Sequence, residues 1–164
     1  MQTKTFELTY TKTDSSNASV GVIIVAAGSA SRMGGVNKIL APLAGKPVIC
    51  HTLSAFNENP AISDIVLVTR EDMVLNLQNL TDEYGFLKVT DIITGGSCRE
   101  ESVKKGFERI TKNQNIKNVL IHDGARPLIS QKVITSVINA VEEFLAVIPV
   151  VKATVTMKRI DTLG

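Results

Sequence analysis

Two cations, Arg32 and Lys38, sit in the segment "AAGSASRMGGVNK", Ala26 to Lys38, among glycines, alanines and serines. Small residues of this kind let backbone N–H groups approach an anion closely. Placed directly after the apolar run "VGVIIV", such a loop suits a polyphosphate. Two familiar phosphate-binding patterns are excluded. The dinucleotide pattern GxGxxG fails because Gly28 is followed by Ser29, Ala30, Ser31, Arg32 and Met33. In "LAPLAGKP", Leu40 stands where a P-loop needs its first glycine, and Pro47 where it needs a hydroxyl. On the local motif alone, a flexible turn carrying surface charges is the competing reading.

Two further stretches carry chemistry. "GGSCREESVKKGF", Gly95 to Phe107, combines a glycine-pair turn with hydroxyls and Arg99. Hydroxyl and backbone groups can discriminate a polar ring edge, because a mismatched edge is costly when buried. Ser102, near a predicted helix start, reads equally as a cap or as a ligand. "HDGARP", His122 to Pro127, offers Asp123, suited either to a hard cation bridging phosphates or to capping a turn. His122 and His51 read as structural, and Cys98 as a small packing residue. No Ser-His-Asp or Cys-His arrangement points to a covalent nucleophile.

The elements around these stretches alternate. Apolar runs at Val20–Ala27, Asp64–Thr69, Leu87–Thr94, Asn118–His122 and Ala146–Lys152 read as strands. Between them, helices are expected after Pro47, over Met73–Tyr84 with Gly85 as stop, over Arg99–Ile110, and from an N-cap at Ser130 to Phe144. This order predicts an α/β fold, a doubly wound and mostly parallel sheet with helices on both faces. In such sheets ligands collect beyond the carboxyl ends of the strands. The loops after the first, third and fourth strands should therefore share one crevice.

The chain has 164 residues, 44% hydrophobic and 21% charged, with a net charge of +2. That amounts to one domain with a real core and no bulk affinity for nucleic acid or membranes. The two cysteines lie far apart without a CxxC, which argues against zinc or a disulfide. Residues 1–19, rich in Thr and Ser, read as a disordered extension rather than a secretory signal.

The three motifs together resemble a known family. "AAGSASRMGGVNK" resembles the AAGxGxRMG-and-lysine loop of nucleotidyltransferases with a glycosyltransferase-A-like fold. "GGSCREESVKKGF" is similar to GGxxRxxSVxxGL of the 2-C-methyl-D-erythritol 4-phosphate cytidylyltransferases, and "HDGARP" to their HDAARP. The likeness runs in family order from Val20 to about Asp161. It implies a Rossmann-like nucleotide-diphospho-sugar transferase fold and transfer of CMP from CTP to a sugar-alcohol phosphate, a step in isoprenoid precursor synthesis by the non-mevalonate pathway.

By the same resemblance, Arg32 and Lys38 are catalytic. Ala26, Ala27, Gly28, Ser29, Ala30, Gly96, Ser97, Ser102 and Gly124 bind the nucleotide. Asp123, Arg126 and Thr156 meet the substrate, and Asp123 holds Mg²⁺. Ala30 stands where the family often has glycine, Asn37 where it has proline, and Ile39 where it has glutamine. "PVVKATVTMKRID" resembles the family's PVxDTxK in the register that aligns Thr156 and Lys158, with Val155 replacing the aspartate.

Family members continue further, into an arm that crosses to a second subunit. The expectation is thus a nucleotidyltransferase domain over residues 20–164, incomplete at the C-terminus and lacking that arm. A homodimer is expected of the full-length family, in the cytoplasm, with no nucleic-acid or membrane partner. Two alternatives remain: a CTP-binding fragment without turnover, and a related transferase acting on ribitol 5-phosphate or a molybdopterin cofactor.

Overall fold

The computed structural model describes residues 19–28 and 37–152. Residues 1–18 of the expected extension lie outside that range, but Ser19 opens the first strand. In chain order the elements are β1 (Ser19–Val25), β2 (Pro42–Leu43), β3 (Lys46–Pro47), α1 (Val48–Asn57), β4 (Ile62–Thr69), α2 (Val74–Glu83), β5 (Val89–Thr94), α3 (Arg99–Ile110), β6 (Ile116–Asp123) and α4 (Gln131–Glu143).

Four strands form one parallel sheet in the order β5-β4-β1-β6. The strand order reverses beside β1, which pairs with β4 on one edge and β6 on the other. Its side chains divide strictly by the strand period of two. Val20, Val22 and Ile24 enter the larger core with Ile49, Leu53 and Phe56 of α1, Leu77 of α2 and Ile134 of α4. Ile23 faces the other way, into a smaller core with Val66, Val68 and Ile110 of α3. Burial on both faces explains why β1 is a continuous apolar run rather than an alternating one. The doubly wound arrangement with helices on both faces is therefore observed.

Helix ends follow local chemistry. The Ser130 hydroxyl accepts the Val133 N–H at 3.3 Å, so the expected N-cap of α4 forms. Gly85 follows α2 with φ +66, the left-handed conformation in which glycine carries no steric penalty. "LAGKP" is a hairpin turn: Ala44 and Gly45 both have positive φ, +47 and +83, between the antiparallel β2 and β3. Pro47 precedes α1 as its N-cap instead of entering its first turn.

One expected element is absent. Ala146–Lys152, predicted as a fifth strand, has no regular structure, and Leu145, Ile148, Val150 and Val151 are exposed. A strand is stabilised by its ladder partner, and this segment has none among the described residues. Composition marked it as strand-like, and pairing decided otherwise.

The smaller core is closed by direct contact of α3 with the sheet at Gly106. A methyl group there would lie 2.6 Å from Ile23 Cγ2 and 3.0 Å from Val68 Cγ2. Neither neighbour can retreat, because both are buried in the sheet. Gly106→Ala should lower the unfolding free energy by about 1–3 kcal/mol, the usual cost of overpacking. Urea unfolding should show this as a lower midpoint at unchanged slope; an unshifted midpoint would contradict the close approach.

Candidate functional site

The carboxyl ends of β1, β5 and β6 lie together. In the ladder Val25 faces Asp123, and the Gly124 N–H donates to the Val25 carbonyl at 2.8 Å. The Ala26 N–H donates to Val68 O at 2.7 Å, and the Gly95 N–H to Thr69 O, also at 2.7 Å. A methyl group placed on Gly95 would sit 2.7 Å from Ala27 Cβ, so the first and second loops touch. Arg99 at the start of α3 joins the second loop to the third: its Nε and Nη2 donate to Asp123 Oδ1 at 3.2 and 3.0 Å.

Along the first loop, Ala26 is buried, Ala27 half-buried and Gly28 exposed. The amides of Ala27 and Gly28 have no hydrogen-bond partner among the described residues. Ser29, Ala30 and Arg32 lie outside the described residues, as does Thr156 with its neighbours Val155 and Lys158. Lys38 is described and exposed. It sits between two anchors. Asn37 Oδ1 accepts the Ile39 N–H at 3.3 Å, and Ile39 is buried in the larger core. Here the two departures from the family pattern have a physical role: an Asx-type turn and an apolar plug fix the backbone on either side of the lysine.

The second loop is held by its own helix. Cys98 caps α3, its Sγ accepting the Glu101 N–H at 3.5 Å, so it is an exposed cap and not the packing residue expected. Glu101 reaches back past the cap residue to accept the Ser97 N–H and hydroxyl at 2.8 and 2.9 Å. The Ser97 N–H and hydroxyl together hold the Glu101 carboxyl below the usual carboxylate range. Ser102 is 1% exposed. Its hydroxyl accepts the Gly96 N–H at 3.0 Å and donates to Cys98 O at 2.9 Å. The serine that could be a cap or a ligand is a brace between loop and helix. Glycine is required at Gly96 for space: a methyl group there would overlap the Glu101 side chain.

The third loop centres on Asp123. Arg99 engages one carboxylate oxygen, and Arg126 Nε donates to the other at 2.9 Å. Partial burial works to raise the pKa, but hydrogen bonding and charge from Arg99, then from Arg126, prevail and hold the carboxyl below its usual range. Gly124 is buried and its amide is committed to β1, while its carbonyl accepts the buried Thr52 hydroxyl at 2.9 Å. It serves the loop by shape, since a methyl group would meet Ile49 Cδ1 at 3.0 Å and Ala26 Cβ at 3.1 Å. His122 is half-buried beside Phe56, with Nε2 3.0 Å from the Arg126 carbonyl. His51 Nε2 lies 2.7 Å from the Leu43 carbonyl, tying α1 to the hairpin.

Sequence reasoning missed Glu101 and Lys105. The first was detectable, since Glu101 stands three residues after the cap position, at capping-box spacing. Nothing in the sequence marks Lys105.

Burial carries the His122 pKa below its usual value of about 6.5 by disfavouring the charged imidazole. The stability it contributes is complete above about pH 6.5 and is lost as pH falls through the lowered folded value. Unfolding free energy should therefore decline as pH falls below about 6.5, while Asp123 stays ionised. Urea titrations of His122→Gln should show a shallower decline than the parent; parallel curves would show that His122 is not buried neutral.

The profile of one family, 2-C-methyl-D-erythritol 4-phosphate cytidylyltransferase (IspD), matches residues 20–164. A protein of that name from Dehalococcoides mccartyi (strain CBDB1) is 42% identical over 148 residues, covering 90% of this chain and 64% of the relative. Its namesake from Alkaliphilus metalliredigens is 40% identical over 144 residues, covering 87% and 59%. The crystal structure of 4-diphosphocytidyl-2C-methyl-D-erythritol synthase from Anaerococcus prevotii superposes with a TM-score of 0.77 at 28% identity, over 89% of this chain and 60% of that one. The chain thus spans less than two thirds of the length of these relatives.

Proposed function

The chain belongs to the 2-C-methyl-D-erythritol 4-phosphate cytidylyltransferase family, and from that membership we propose that it transfers CMP from CTP to 2-C-methyl-D-erythritol 4-phosphate. We assign this activity to residues 20–164. A phosphate oxygen of the acceptor attacks the α-phosphorus of CTP, the bond to the β-phosphate oxygen breaks, and pyrophosphate leaves. Two anions must meet while negative charge spreads over the reacting phosphorus. The reaction therefore calls for donors and cations more than for a covalent nucleophile.

The observation that best supports this reading is the meeting of the Ala26–Gly28, Gly95–Ser97 and Asp123–Gly124 segments where the strand order reverses. The amides of Ala27 and Gly28, which have no partner among the described residues, suit the triphosphate. Arg32 and Lys38 supply positive charge to the pentavalent phosphorus, Arg by gripping two oxygens and Lys as a point charge. In the second loop the amides of Gly95, Gly96 and Ser97 are already committed. Its backbone is left with acceptors, which match the exocyclic amine of cytosine and not the carbonyl of uracil.

Asp123 and Arg126 are placed to meet ribose, acceptor phosphate or Mg²⁺. Among the described residues no group of three or more His, Cys, Asp or Glu could hold a metal. Both Asp123 oxygens already accept from arginines. The donor set fits a Mg²⁺ that Asp123 would help to hold together with the triphosphate, not an ion held by the protein alone. When bound, the ion would neutralise charge between adjacent phosphates. We place the reaction in the cytoplasm, where both charged substrates occur, and expect the full-length enzyme to be a homodimer.

The protein, incubated with CTP, 2-C-methyl-D-erythritol 4-phosphate and Mg²⁺, should release pyrophosphate and form the cytidylyl product, read by phosphorus NMR. GTP, UTP and ribitol 5-phosphate should be poor replacements. Lys38→Ala should lower kcat by about 10²–10³ without loss of fold, the usual effect of removing one donor to transition-state charge. A near-parent rate in that variant would refute the role of Lys38. CTP binding without product would leave a nucleotide-binding protein in place of an enzyme.

A further inference from the structure

The carbonyl of Gly95 and the N–H of Gly96 belong to one peptide unit, and α3 holds both ends of it. Lys105 Nζ donates to the Gly95 carbonyl at 2.9 Å, while the Ser102 hydroxyl accepts the Gly96 N–H at 3.0 Å. Residues 102 and 105 are three apart and share a helix face. The next peptide unit is held by Glu101, which accepts the Ser97 N–H, and Lys105 Nζ also lies 3.8 Å from Glu101 Oε1. On the other side, the Gly95 N–H is fixed to Thr69 at the end of β4.

We propose that Lys105 is a positioning residue for nucleotide selection, clamping the Gly95–Gly96 peptide so that the second loop keeps one fixed pattern of donors and acceptors toward the base. This rests on the cytidylyltransferase reading. The physical reason lies in the two glycines. A peptide plane between residues without side chains rotates readily, and its rotation exchanges the positions of C=O and N–H. Neither glycine has a positive φ, so backbone preference alone does not select the observed plane. A charge-assisted bond to the oxygen and a buried hydroxyl on the nitrogen do. Without the lysine, only the neutral bond to the Ser102 hydroxyl opposes rotation of the plane, and the Gly96 N–H can turn away from it. The loop can then offer a uracil-compatible face as well as a cytosine-compatible one.

Lys105→Met keeps the length of the side chain and removes the donor. It should raise the KM for CTP about tenfold, as loss of a hydrogen bond to a charged group does, with kcat within about twofold. The preference for CTP over UTP in kcat/KM should shrink by at least about threefold. Lys105→Arg should recover most of both effects, because guanidinium can donate to the same carbonyl. Lys104→Met is the control. Among the described residues Lys104 pairs only with Glu108, at 3.9 Å, and its loss should change neither quantity.

Amide exchange at Gly96, followed by NMR without substrate, provides a readout independent of turnover. It should be about tenfold faster in Lys105→Met than in Lys104→Met. If the parent protein turns over CTP, an unchanged KM and unchanged base preference in Lys105→Met overturn the proposal. An equal loss in kcat and melting temperature with no change in preference does so too. If the parent shows no turnover, the function proposed above fails by itself, and the clamp is decided by exchange: faster Gly96 exchange upholds it, and unchanged exchange removes it.

Discussion

A parallel strand paired on both edges and covered on both faces has only its ends free. β1 is such a strand, and the rest of the molecule is arranged by that constraint. Its two core faces recruit α1, α2 and α4 to one side and α3 to the other. Its two neighbours, β4 and β6, run in the same direction, so all the carboxyl ends emerge together. The strand order reverses at β1, and the segments that leave β1, β5 and β6 touch there, at the end of the sheet where parallel α/β folds hold ligands. The segment that carries Arg32 and Lys38 follows directly in sequence from the end of β1.

Around these strand ends, side chains fix backbone. Asn37 and Ile39 fix the chain around Lys38; Glu101, Ser102 and Lys105 orient two consecutive peptide units; Thr52 holds the Gly124 carbonyl. Asp123 is the junction between the second and third loops through its two arginines. Apart from the buried Thr52 hydroxyl, these contacts are polar and partly solvent-exposed, so each of them adds only modestly to folding stability. Their larger effect is to restrict which backbone donors and acceptors a ligand meets. Preorganisation of this kind lowers the reorganisation required when charge develops at the site.

Much of this was legible in the chain. The continuous apolar run "VGVIIV", the cap at Ser130, the stop at Gly85 and the bounds of α3 all follow from local rules, and the structure reproduces them. Three motifs in family order identified the family and pointed to the loops that converge. Other features were not legible. "AVIPVVK" has the composition of a strand and forms none, because a ladder needs a partner and composition does not name one. Cys98 has the composition of a packing residue and acts as a cap, because its place at the mouth of α3 outweighs its hydrophobicity. Ser102 satisfied two readings equally until its two hydrogen bonds showed a third.

By itself, then, the sequence determined the alternation of strand and helix, the buried faces of β1, and the order and kind of the chemistry-bearing loops. These rest on spacings of two to four residues, which propensity and hydrophobic period encode directly. Only the tertiary structure decided that Asp123 is shared between Arg99 and Arg126, that Lys105 reaches back to Gly95, and that Gly106 brings α3 against Ile23 and Val68. These depend on where strands distant in sequence end relative to one another, and that is fixed by packing of the whole sheet rather than by any local stretch.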